Sequence, residues 1–185
     1  MLTGIASLAA KANVGTIVTS HINTMRIDVG NGESRYSRSD FTIFYLFPVF
    51  LAIALVGLDV PLSTDAFSVS ISVFSIFAAL LFSAQVAMYG IFRAQRQSPR
   101  NQTEANIQQE SIKNETDLLR EVNTNISYLI LISCVCVSIF FICHTFKLTN
   151  GPARFLLYSL FAHFILTLLM LIKRSHLLFD NSYKS

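Results

Sequence analysis

The sequence predicts an all-α integral membrane protein, with four transmembrane helices in two hairpins and a cytoplasmic helical extension. Three observations point there. Hydrophobic residues make up 52% of the 185-residue chain and charged residues only 14%, against about 25% charged in a soluble domain. The charges are clustered, and the long runs between them carry none, the pattern of spans separated by loops. Two of the connectors are short and rich in turn-formers, Asp59-Val60-Pro61 and Asn150-Gly151-Pro152.

Residues 1–40 read as an amphipathic segment lying on the membrane or docked against the protein itself. Leu2, Ile5, Ala9 and Ala12 share one helical face, and Val18, Ile22, Met25 and Val29 repeat the spacing after Gly15. Gly30-Asn31-Gly32 breaks the pattern. The N-terminus lacks the basic region, apolar core and cleavage site of a secretory signal, so the first span is expected to direct insertion itself.

Residues 41–92 form the first hairpin. Its first span, Phe41 to Leu58, contains Pro48, which removes a backbone donor and predicts a kink. Its second span, Phe67 to Phe92, carries Ser68, Ser70, Ser72 and Ser75, small hydroxyl residues that allow close helix approach, and then Gln85. Residues 93–125 are polar. From about Thr103 nothing breaks a helix, so the chain is expected to run on as one helix into the third span, Ile126 to Phe146. That helix is roughly 60 Å long at 1.5 Å per residue. Ile112, Leu119, Val122 and Ile126 follow a rough heptad, spoiled once by Glu115, which marks Ile112, Leu119 and Val122 as candidate contacts with a second copy. The second hairpin occupies 126–173, with Phe155 to Ile172 as the fourth span, and 174–185 is a short tail.

Of the 14 Lys and Arg, only Lys147 and Arg154 lie beside the short connectors. The positive-inside rule puts the N-terminal segment, the central loop and the tail in the cytoplasm of a cell with this protein in its inner membrane. The acceptor patterns Asn101-Gln102-Thr103, Asn114-Glu115-Thr116 and Asn125-Ile126-Ser127 then fall out of reach of the glycosylating enzyme.

His163 lies near the middle of the fourth span, where a polar group is costly. Ser159 and Thr167, four residues to either side, complete a polar stripe on its face. Two readings stand. The stripe, with Gln85, lines a pore or relays protons, or it holds helices together through hydrogen bonds, His163 bonding to a serine or Gln85. His144 sits near the outer end of the third span. Cys134, Cys136 and Cys143 read as small apolar side chains, since neighbours at i, i+2 on a helix point apart and make no metal site.

None of the four spans contains Asp, Glu, Lys or Arg, which weighs against an ion-coupled transporter, a proton pump or an aspartyl intramembrane protease. With no Walker loop, dinucleotide fingerprint or zinc spacing, no catalytic residue, cofactor or metal is assigned, and an enzyme is not expected. A net charge of +3 without a basic stripe argues against direct nucleic-acid binding.

The stretches Tyr45-Leu46-Phe47-Pro48, Val73 to Phe82 and His163 to Arg174, with the layout of spans around them, resemble small four-span membrane proteins of bacterial antiphage defence systems. These include the membrane component of the Kiwa system and the multi-span effectors of retron and cyclic-nucleotide systems. The resemblance implies a homo-oligomer that senses or perturbs the inner membrane and takes its signal from a cytoplasmic protein partner. A non-catalytic accessory subunit of a membrane complex, or a small channel, is the competing expectation.

Overall fold

The computed structural model describes residues 14–28, 34–97 and 105–184. The elements in chain order are α1 (Val14–Asn23), β1 (Arg26–Asp28), β2 (Ser34–Tyr36), α2 (Arg38–Phe41), a π-turn (Thr42–Leu46), α3 (Phe47–Gly57), α4 (Thr64–Gln97), α5 (Ala105–Thr145) and α6 (Gly151–Lys184). Among the described residues, four helical stretches are long and apolar enough to cross a membrane: 38–57, 64–90, 116–145 and 151–180.

The first of these is continuous only because the backbone adapts before Pro48. Proline has no N–H to offer the carbonyl of residue 44. The preceding turn widens into the π-turn, with Phe47 N–H reaching back to the Thr42 carbonyl, a local adjustment of the kind that lets membrane helices keep a proline. The expected kink is therefore a π-turn followed by a regular helix.

Both short connectors begin in the same way. Asp59 and Lys147 adopt φ of 51°. Val60 N–H bonds the Leu55 carbonyl and Asp59 N–H the Val56 carbonyl, and Leu148 and Lys147 repeat this with Cys143 and His144. This is the Schellman arrangement, usually built on glycine. The following helices are capped by side chains: Ser63 Oγ accepts from Ala66 N–H and Asn150 Oδ1 from Ala153 N–H, both at 3.2 Å.

The four long elements pack in the order α3, α6, α5, α4. Helices α3 and α4, consecutive in the chain, do not pair along their lengths; the expected first hairpin opens, each arm packing on the second hairpin. Phe74 of α4 sits at the centre of an aromatic cluster, with ring centroids 5.6 Å from Phe140 on α5 and 4.9 Å from Phe164 on α6. At the end bearing the connectors, called distal here, Arg154 of α6 reaches Asp59 at 2.6 Å and holds the end of α3. Outward faces are apolar: Phe50 and Leu80 are more than 60% exposed, and Phe47, Ile53, Val69 and Ile76 are exposed too. Exposed apolar surface on every outer helix suits a lipid environment and would be costly in water.

The N-terminal segment departs from a purely helical reading. Helix α1 follows the repeat after Gly15 as far as Asn23. The chain then forms a two-stranded antiparallel ribbon, pairing Arg26 with Tyr36 and Asp28 with Ser34. Gly30-Asn31-Gly32 and the helical face proposed for residues 2–12 lie outside the described residues. Helix α5 runs unbroken from 105 to 145, as its composition predicts. Helix α6 continues through the charged residues after Ile172 to Lys184, so the expected tail is helical. Lys173 and Arg174 end the apolar stretch without ending the helix.

Leu119 and Val122, expected to face a second copy, are buried inside one chain at 7% and 1% exposure. Val122 belongs to the core shared by α4, α5 and α6. Their heptad spacing is satisfied within the protomer. The side chain of Ile112 lies outside the described residues.

Candidate functional site

A cluster of buried polar groups, His21, Asn125 and His163 with Tyr128 between them, lies where α1 meets the spans, at the proximal end, and extends toward mid-bundle. His163 is 8% exposed and both ring nitrogens are satisfied. Nδ1 lies 2.8 Å from the Phe44 carbonyl and Nε2 2.8 Å from Tyr128 Oη. A carbonyl only accepts, so Nδ1 carries the proton. In the neutral ring Nε2 then accepts from the Tyr128 hydroxyl. Phe44 is the residue whose carbonyl Pro48 would serve in a regular helix, were it not proline. The sequence thus removes a donor in the first span and supplies one from the fourth. The Tyr45 ring closes on the imidazole from the same turn, with centroids 5.2 Å apart.

Tyr128 carries the cluster outward to α1. The His21 ring stacks on it with centroids 3.7 Å apart and planes 4° from parallel. His21 is fully buried, and its Nδ1 donates to Asn125 Oδ1 at 2.8 Å. Asn125 and Tyr128 are three residues apart on α5 and so share a face. Burial above all holds the His21 imidazole well below its ordinary range, down to about 4; the Asn125 bond acts the other way, and the nearby His163 and Arg174 add smaller downward pushes. Arg174 of α6 completes the dock, donating from Nη2 to the Thr24 carbonyl at 2.7 Å while Nη1 lies 3.2 Å from the Glu121 carboxylate. A cation at the carboxyl end of α1 also complements the helix dipole. His21 Nε2, Asn125 Nδ2 and Tyr45 Oη are buried without a hydrogen-bond partner among the described residues.

The sequence-derived candidates fall in different places. Thr167 is fully buried, but its hydroxyl bonds back to the His163 carbonyl of its own helix at 2.9 Å. Ser159 is half-buried and makes no hydrogen bond to the cluster. Gln85 does not approach His163: its amide donates to Ser127 Oγ at 2.8 Å, joining α4 to α5. The partner of His163 is Tyr128, not a serine or Gln85. His144 meets the Thr64 carbonyl at 3.2 Å, tying the distal end of α5 to the start of α4. Cys136 and Cys143 are buried and Cys134 exposed, all as free thiols. Among the described residues no three His, Cys, Asp or Glu side chains come together as metal ligands.

His21, Asn125 and Tyr128 escape a reading of the chain in segments. Each is ordinary where it stands, and only the contact between α1 and α5, more than 100 residues apart, gives them a role. Asn125 at the mouth of an apolar run was the available signal.

Among the described residues, four helices long and apolar enough to cross a membrane suggest a multi-pass membrane protein, with α1 docked into the polar end of its own helices. No protein-family model, curated protein or solved structure matches the chain.

Proposed function

We propose that this chain is a membrane sensor or effector that passes a cytoplasmic signal, received at the N-terminal segment, to the spans. The observation that carries the reading is the unbroken set of contacts from His21 through Tyr128 and His163 to the Phe44 carbonyl. It links α1 to three of the four membrane-crossing elements. A partner that lifts α1 takes away the ring stacked on Tyr128 and exposes Asn125. The Tyr128–His163 bond then loses its cover, and the π-turn loses the imidazole that holds it. The bias of Lys and Arg supports an orientation with both termini in the cytoplasm.

The resemblance to four-span antiphage defence proteins supplies the biological setting: an inner-membrane homo-oligomer that perturbs or monitors the membrane of an infected bacterium. Gene neighbourhood tests that setting directly, since a defence protein sits beside a nuclease, a reverse transcriptase or a nucleotide cyclase.

The functional test is membrane-potential dye measurement at matched expression. His163→Leu and Tyr128→Phe should each abolish or strongly reduce triggered depolarisation while the protein remains inserted. If depolarisation by both variants is normal, the cluster is structural, and the accessory-subunit reading takes its place.

A further inference from the structure

A second feature at the proximal end is independent of the histidine cluster. Beyond the Gln85–Ser127 bond, α4 and α5 border a cavity of about 420 Å³, lined by Met88, Tyr89, Asp117, Leu119, Arg120 and Asn123. Tyr89 and Asn123 each lie four residues from that bonded pair, about one turn or 5.4 Å further out. Beyond the long uncharged run of the third span, α5 first meets Glu121, which pairs with Arg174, and then Arg120 and Asp117. The cavity therefore straddles the boundary between the apolar and charged levels of the bundle.

Its lining is apolar at the base and carries opposite charges at the rim. Asp117 and Arg120 are three residues apart on one helix and both exposed. Neither side chain makes an ion pair among the described residues, with the other or with any neighbour. Immediately below the mouth, Phe82, Val86 and Tyr89 form a strip at i, i+4 and i+7 on the outer face of α4, each more than half exposed. A tyrosine at that level is the usual interfacial anchor.

We propose that this cavity is a binding site for an aminophospholipid of the proximal leaflet. The phosphate lies on Arg120, the ammonium on Asp117, and an acyl chain on the Phe82–Val86–Tyr89 strip. A zwitterion with a cation outside its phosphate matches two opposite charges on one helix that make no ion pair among the described residues. A purely anionic headgroup would meet the Asp117 carboxylate, and a headgroup with a quaternary amine could not donate a hydrogen bond to it. The proposal rests on the reading that the four long helices span a bilayer, but not on signalling through His163.

The test uses the full chain, purified in mild detergent and delipidated, and titrated with short-chain phosphatidylethanolamine, phosphatidylcholine and phosphatidylglycerol while bound lipid is read by native mass spectrometry. Phosphatidylethanolamine should bind best. Arg120→Gln should weaken all three by about threefold to tenfold, the range for one partly exposed charge-assisted hydrogen bond. Asp117→Asn should erase the preference and leave phosphatidylcholine binding as it was. Both residues are exposed, so neither change threatens folding. Equal binding of the three lipids, or a preference that survives Asp117→Asn, overturns the proposal. Displacement of the lipid by soluble phosphoethanolamine at equal concentration also overturns it, because the acyl strip would then contribute nothing. Depolarisation assays on the same variants keep the two ideas apart: lipid selectivity with inactive signalling refutes the proposed function alone.

Discussion

The two halves of the bundle are held by different forces. The interior of the distal half, away from α1, is joined by aromatic packing, with polar contacts such as Arg154–Asp59 and His144–Thr64 only at its outer end: Phe67, Phe74 and Phe140 meet there, and Phe164 and Phe77 extend the cluster toward mid-bundle. The proximal half is joined by directed hydrogen bonds through His21, Asn125, Tyr128, His163 and Arg174. In lipid, apolar surface gains little from association as such, so the aromatic half depends on close packing and the polar half on satisfied partners. Packing declines gradually as shape is lost. A hydrogen-bonded cluster changes state when one partner leaves, because the group left behind is buried and unpaired. Under the proposed function the distal half is the static part and the proximal half the switchable one.

The largest effect expected is on the static half. Phe74→Ala removes the ring that touches Phe140, Phe161 and Phe164. It should lower unfolding stability by about 3 kcal/mol, measured by denaturant titration in mixed micelles, while leaving α1 docked until the bundle itself opens. Loss of α1 protection before global unfolding would mean that the halves are not separable.

A pH titration probes the switchable half. The undocked His21 titrates near 6.5 and the docked one near 4, so between those values the undocked state binds the extra proton. Docking is therefore fully stable above about pH 6.5 and weakens as the pH falls toward 4, by roughly 3 kcal/mol in all. Limited proteolysis of residues 14–28 should accelerate over that window, and His21→Gln should flatten the dependence. A flat profile in the unsubstituted protein would show that the imidazole does not govern docking.

Tyr128→Phe keeps the ring stacked under His21 but takes the hydroxyl from His163 Nε2. The cost should be about 1–2 kcal/mol, that of one buried acceptor left unpaired, read as destabilisation of the proximal half in hydrogen exchange. Gln85→Leu, outside the cluster, should cost about 0.6 kcal/mol, the average for one interhelical hydrogen bond in a membrane protein. It should not change α1 protection at all.

The sequence reads well where chemistry is periodic and badly where it is long-range. The four uncharged runs are visible because burial in lipid excludes charge over some 20 consecutive residues. The continuity of α5 follows from the absence of Gly and Pro between about Thr103 and the third span. His163 stands out as a polar group among apolar ones. Its partner does not, because Tyr128 is a common residue near a span boundary, and the link from Pro48 to the Phe44 carbonyl to His163 appears only once α3 and α6 are side by side. The heptad through Leu119 and Val122 has the opposite problem: the period correctly marks a buried face, but a period cannot say whether the cover is another chain or α4 of the same one.

The central claim is that α1 and His163 are coupled through Tyr128, although His21 and His163 share no hydrogen bond. Hydrogen exchange over residues 14–24 in the full-length protein tests it most directly, in the unsubstituted chain, His163→Leu, His21→Ala and the double variant. Coupling predicts that His163→Leu lowers protection of α1, and that the effects of the two single changes fail to add by at least about 0.5 kcal/mol, the threshold for interacting sites. Unchanged protection of α1 in His163→Leu, with additive effects in the double variant, would contradict it.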